Sequence, residues 1–205
     1  MRPILFVIFL QIVLAGCSQN VSKMSDAAVK TAAYGHTGPA SLSLITMINN
    51  GSGTGAHTSL MINASQRVIF DPAGTVRHAR LPEKDDVLFG VTPAIEDFYV
   101  RAHARKTHHV VIQTLEVPPD VAELALQKAL AHGAVYAAQC SLRTSQILAS
   151  LPGFDHLPVV WFPNQLKNAF GRLEGVTEVT LDEYGEADKT LALRAYILKQ
   201  FYPLW

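Results

Sequence analysis

The chain has 205 residues, 17 Lys and Arg against 17 Asp and Glu, and a formal net charge of +0 at pH 7. With no basic stripe and no acidic tail, charge-driven nucleic-acid binding and cation buffering are excluded. Hydrophobic residues make up 49% and charged residues 17%, a balance that supports a packed core and excludes a disordered chain.

The first sixteen residues read as a secretory leader. Arg2 supplies a positive start, and Ile4 to Leu14 is apolar except for Gln11. That run is too short to span a bilayer comfortably. It ends in Leu14-Ala15-Gly16-Cys17, which resembles the lipobox of bacterial lipoproteins. The resemblance implies cleavage after Gly16, acylation of Cys17 and attachment to a membrane through the N-terminal lipid. Ser18 in the next position leans towards the outer membrane, on the side facing the periplasm. Residues 17–38 then form the lipidated N-terminus and a small-residue-rich tether, with a helical turn around Asp26 to Ala33. Residues 39–205 form a single domain. With Cys17 acylated, Cys140 is the one thiol left of the two cysteines, so no internal disulfide supports the domain.

Leu42, Leu44, Thr46 and Ile48 alternate with small polar residues and predict a strand. A glycine-rich connection over Gly51 to Gly55 reads as a mobile loop bordering a cleft. Ala56 to Asn63 and Arg67 to Asp71 predict two more strands, the second stopped by Pro72 and Gly74. Asp86 to Val91 predicts a short strand. Thr92-Pro93 offers an N-cap and a proline at N1 for a helix running towards Arg105. His109 to Val117 predicts a strand, and Asp120 with Glu123 a capping-box start for a helix ending near Gly133. Further helices are expected from Cys140 to about Leu151 and from Pro163 past Leu166 and Phe170. Val176 to Leu181 reads as a late strand, and Leu191, Ala195 and Leu198 as a helical stripe. This order predicts an α+β fold.

Cys140 stands at the expected start of a helix, where the dipole and free N–H groups favour a thiolate and can hold an oxyanion. His57 opens a strand, which fixes an imidazole rigidly. Asp71 ends the next strand, where its carboxylate can orient that ring. Nucleophile, base and orienter are the parts of a cysteine hydrolase. Tyr136 and Gln139, just before the thiol, are candidates to line the cleft or donate to an oxyanion. Each residue also has a plain alternative. Cys140 shares a stripe with Thr144, Ile147, Leu148 and Leu151 and fits a core. The Asp71-Pro72-Ala73-Gly74 string is a good turn by itself, and a tyrosine at 136 packs as well as it donates.

Gly55-Ala56-His57-Thr58-Ser59-Leu60-Met61-Ile62, Arg67-Val68-Ile69-Phe70-Asp71, Tyr136-Ala137-Ala138-Gln139-Cys140-Ser141 and Trp161-Phe162-Pro163-Asn164-Gln165-Leu166 occur in that order. Together they resemble the permuted NlpC-type branch of the papain-like cysteine peptidase superfamily, in which a histidine strand precedes the cysteine-led helix. The resemblance covers roughly Ser41 to Phe170. It implies a circularly permuted papain-like fold, with an antiparallel sheet packed against helices, and Cys140, His57 and Asp71 as catalytic residues. Asp71 departs from the His, Asn or Gln usual at the third position. The implied function is a lipid-anchored envelope thiol hydrolase cleaving an amide, as in peptidoglycan peptide, or an ester. A thiol-dependent acyltransferase acting on an acyl lipid is a second implied chemistry. A non-catalytic lipoprotein using the same fold for binding or scaffolding fits the same residues.

No metal or organic cofactor is expected. His108 and His109 alternate to opposite faces of a strand, and His103 and His108 have no ligand partner at recognisable spacing. Asp85-Asp86 with Glu83 reads as a solvated turn, since the glycine and terminal glutamate of an EF-hand loop are missing.

Overall fold

The computed structural model describes residues 24–74, 76 and 81–182. The leader, Cys17, Ser18 and the stripe at Leu191, Ala195 and Leu198 lie outside the described residues. In chain order the elements are α1 (Asp26–Ala32), β1 (Ser41–Asn49), β2 (Gly55–Asn63), β3 (Arg67–Phe70), β4 (Glu83–Lys84), β5 (Val87–Leu88), α2 (Pro93–His103), β6 (His108–Glu116), α3 (Pro119–Ala131), α4 (Cys140–Ala149), α5 (Pro163–Phe170) and β7 (Thr177–Leu181). The strands form one antiparallel sheet in the order β4-β5-β3-β2-β1-β6-β7. The fold is α+β.

Strand alternation sends side chains to two covered faces. Leu42, Leu44, Leu60, Ile62 and Phe70 meet Leu126 of α3, Ile147 and Leu148 of α4 and Phe170 of α5. Ile45, Met47, Met61, Ile69 and Val110 meet Ile95, Phe98 and Tyr99 of α2. Each fully buried large aliphatic or aromatic side chain contributes about 1.5–3 kcal/mol. The alternation in β1 therefore does not mark a wet face. Its interior is buried throughout, and a hydroxyl pair satisfies Ser43, with Ser43 Oγ and Thr114 Oγ1 at 2.8 Å. The buried Arg67 of β3 pairs with Glu96 and ties α2 to the sheet.

Residues 26–38, within the expected tether, dock against the domain. Val29 and Ala32 pack on the core, Asp26 pairs with Lys84, and Arg67 N–H donates to Tyr34 O at 2.7 Å. The expected capping box at Asp120 and Glu123 is not formed. The helix starts at Pro119 without a side-chain cap, and Glu123 accepts from Ser65 N–H instead, at 3.2 Å.

The glycine-rich β1–β2 connection is also held. Asn49 Oδ1 accepts from Gly51 N–H and Ser52 N–H, both at 3.0 Å, and Asn164 Nδ2 donates to Gly53 O at 2.9 Å. A Cβ on Gly55 would stand 2.6 Å from Pro163 Cβ and 2.9 Å from Asn164 N. Glycine is needed there so that the start of α5 can abut β2.

Candidate active site

The start of β2 and the start of α4 meet at one end of the sheet. The β1–β2 register shifts between Met47 and Ile48, with Met47 opposite His57 and Ile48 opposite Gly55. A bulge of this kind re-aims a side chain where regular pairing would leave it flat on the sheet. Helix α4 is seated on β2 by the buried bond from Ser141 Oγ to Thr58 Oγ1 at 3.2 Å. Its N-cap, Gln139, makes no side-chain capping bond, so the N-cap side chain does not cover the N–H groups of the first turn.

Cys140, His57 and Asp71 are brought together. His57 Nε2 lies 2.6 Å from Asp71 Oδ1, and the Cys140 thiol and the same ring act on each other, each shifting the other's proton affinity. With Nε2 engaged, Nδ1 is the nitrogen left for the sulfur. Burial opposes a charged ring, but the Asp71 carboxylate and then Cys140 outweigh it and raise His57 to about 10. Burial also opposes the Asp71 charge, and His57, with smaller help from His103 and Tyr99, lowers that carboxyl to about 2. The Cys140 thiol is pushed up by burial and brought below its ordinary value by His57, together with the N–H groups of Thr58 and Ser141. Neutral thiol and imidazole are therefore disfavoured against a thiolate–imidazolium pair.

Three residues not expected at the site complete this arrangement. Tyr99 Oη donates to Asp71 Oδ1 at 2.8 Å. Burial and the neighbouring carboxylate push the phenol well above 10, so it stays a donor. His103, one turn further along α2, has Nδ1 2.9 Å from Tyr99 O, and its ring stacks towards His57 with centroids 6.2 Å apart. Spacing by four on the inward face of α2 is the signal that could have found them. The third is Asp86. Asp85 and Asp86 both have positive φ, 50° and 63°, as the two-residue turn between β4 and β5 requires. Asp86 is not solvated but 1% exposed. Its Oδ2 accepts from Ala73 N–H at 3.2 Å and Val135 N–H at 2.7 Å, which joins the turn after Asp71 to the segment leading into Cys140.

Tyr136 and Gln139 do not line the cleft. Tyr136 is 42% exposed, and Gln139 accepts from Arg143 Nε along its own helix at 2.9 Å. The physical reason lies between them. Ala138 has φ 64°, a left-handed conformation that a non-glycine residue keeps only where its surroundings impose it. That turn places Ala137 and Ala138, with Cys140, His57, Ala73 and Gly74, around a cleft of about 330 Å³. Among the described residues, no three His, Cys, Asp or Glu side chains are grouped to hold a metal ion.

Gly74 has a steric duty. A Cβ there would stand 1.8 Å from Asp71 Oδ2 and 2.1 Å from Asp71 Cγ, and that carboxylate is held by His57 and Tyr99. Gly74→Ala is expected to turn Asp71 away from His57. The check is the rate of Cys140 alkylation by iodoacetamide at pH 7, which should fall severalfold with the far-ultraviolet circular dichroism unchanged. Compared with family models, curated proteins and solved structures, the chain matches none of them.

Proposed function

We propose that the chain is a thiol hydrolase of the bacterial cell envelope, anchored by lipid on Cys17 and built like the permuted NlpC-type papain-like enzymes. The observation that carries this reading is the His57–Asp71 hydrogen bond beside the Cys140 thiol at a helix start, with Cys140 and His57 on the wall of one cleft. Six residues lie between Cys17 and the first described one, Met24, and the seven chain steps reach at most about 25 Å. Such an anchor keeps the domain at the membrane surface.

Cys140 thiolate adds to an amide or ester carbonyl, as in a peptidoglycan peptide. The oxyanion so formed accepts from first-turn N–H groups of α4. His57 then gives its Nδ1 proton to the leaving group, and the C–N or C–O bond breaks. Part of the rise in the His57 pKa comes from the sulfur charge, which is gone once the sulfur is bonded to carbon, so proton release becomes easier at that step. Neutral His57 next takes a proton from water as hydroxide adds to the thioester, the C–S bond breaks, the acid leaves and gives its proton to solvent, and the thiolate–imidazolium pair is restored. Asp71 keeps Nε2 protonated and the ring in plane throughout.

The test is intact-mass spectrometry of the protein incubated with solubilised peptidoglycan peptides or with phospholipid, alongside Cys140→Ser. A peptide-derived thioester on Cys140 with release of an amine is the expected result. A fatty-acyl adduct assigns the chain to lipid acyl transfer instead. No adduct and no turnover with either substrate sinks the hydrolase reading in favour of a binding module.

A further inference from the structure

The cleft wall also includes Met47, His103, Arg105 and His108. Arg105 sits in the tight turn between α2 and β6, where Arg105 N–H donates to His108 O at 2.8 Å and His108 N–H donates back at 2.9 Å. The β1–β2 loop anchors this turn, because Asn50 Nδ2 donates to Lys106 O at 3.0 Å. The guanidinium is steered from its own turn. Its Nε donates to Thr107 Oγ1 at 3.2 Å and its Nη1 to Ala102 O at 3.4 Å. Those bonds use two of its five donors, and the rest, including both on Nη2, remain for a ligand.

Arg105 differs from the other arginines around it. Arg67 is paired with Glu96 and Arg101 with Asp97, whereas Arg105 has no carboxylate partner among the described residues. An imidazolium flanked by a thiolate and a carboxylate leaves the reacting centre net negative, which would repel an anionic substrate unless a cation stood nearby. Arg105 is that cation. Among the described residues, no lysine and no second arginine lines the cleft, and burial, Arg105 and His109 hold His108 below its ordinary pKa, so it adds a polar contact without charge at pH 7. One guanidinium with a planar pair of open N–H groups matches a monoanionic carboxylate better than a phosphate dianion.

We propose that Arg105, flanked by His103 and His108, binds a free carboxylate of the substrate beside the scissile bond. This rests on the thiol-hydrolase reading and narrows its substrates to amides or esters with a carboxylate close to the reacting carbonyl.

The test compares second-order alkylation of Cys140 in the full chain by iodoacetate and by its neutral isostere iodoacetamide. Loss of one charge-assisted contact is expected to lower the iodoacetate-to-iodoacetamide rate ratio about tenfold in Arg105→Gln. Arg105→Lys, which keeps the charge without the fork, should recover part of it. N-acetylalanine should protect wild type from iodoacetamide where N-acetylalanine amide does not. A ratio unaltered by Arg105→Gln overturns the carboxylate site, as does protection by glycerol 3-phosphate in preference to N-acetylalanine. Slow alkylation of wild type by both reagents overturns the nucleophile itself, so the two failures are distinguishable.

Discussion

Exchanging His57 for alanine is expected to slow alkylation of Cys140 by iodoacetamide at pH 7 on the order of tenfold, and turnover of any amide substrate about a thousandfold. Burial alone pushes the thiol up, and His57 is the largest of the influences that bring it down. Without the ring, even an ordinary thiol, of pKa about 8.5, is only a few hundredths ionised at neutral pH. The effect on alkylation is smaller than that fraction implies, because a thiolate of higher pKa is intrinsically more nucleophilic. The pH profile separates the two contributions. The wild-type rate should depend less on pH between about 6 and 8 than the His57→Ala rate, which should climb about tenfold per unit towards the free-thiol pKa. Matching profiles for the two proteins would rule out the pair.

Truncating Asp71 to alanine should lower stability by about 3 kcal/mol at pH 6, because it leaves a largely buried imidazolium without its counter-charge. Asp71→Asn keeps a hydrogen-bond acceptor for Nε2 and should lose less. The signs of the pH dependence follow from the two shifts. His57 holds its proton more tightly when folded, so its contribution is whole below about 6.5 and is lost as pH rises through about 10. Asp71 gives its proton up more readily when folded, so its contribution is whole above about 4 and is lost as pH falls through about 2. Both describe one ion pair. The stability gap between wild type and Asp71→Asn, read by urea denaturation, should therefore be widest between about pH 4 and 6.5 and narrow on either side. A gap independent of pH would show that Asp71 acts through packing alone.

Much of this was legible in the chain. The long strands and the helices at Pro93, Cys140 and Pro163 follow from periodicity, proline at N1 and turn residues, which are local signals. Cys140, His57 and Asp71 stand out because each sits at the end of a predicted element, where a side chain faces open space. Tyr99 and His103 were hidden because their aromatic bodies fill the inward face of α2 like ordinary core residues, and only their polar atoms reach the site. Asp86 was hidden because a turn aspartate looks the same whether its carboxylate faces water or two backbone N–H groups. The place of Tyr136 and Gln139 was not legible because closeness in sequence to a nucleophile says nothing about direction. The left-handed turn at Ala138, which turns that segment, is carried by a residue type that gives no warning of it.

The two bonds accepted by Asp86 also bear on when the thiol becomes reactive during folding. They clamp a turn early in the chain to a segment that arrives much later, and His57 reaches Cys140 only across the same seam. Contacts this distant in sequence close late, after the local hairpins and helices have formed. Until then Cys140 is an ordinary thiol with a pKa near 8.5, mostly protonated at neutral pH. The chain thus passes through its unfolded and partly folded stages chemically quiet, and its nucleophile switches on only when the last long-range contacts are made.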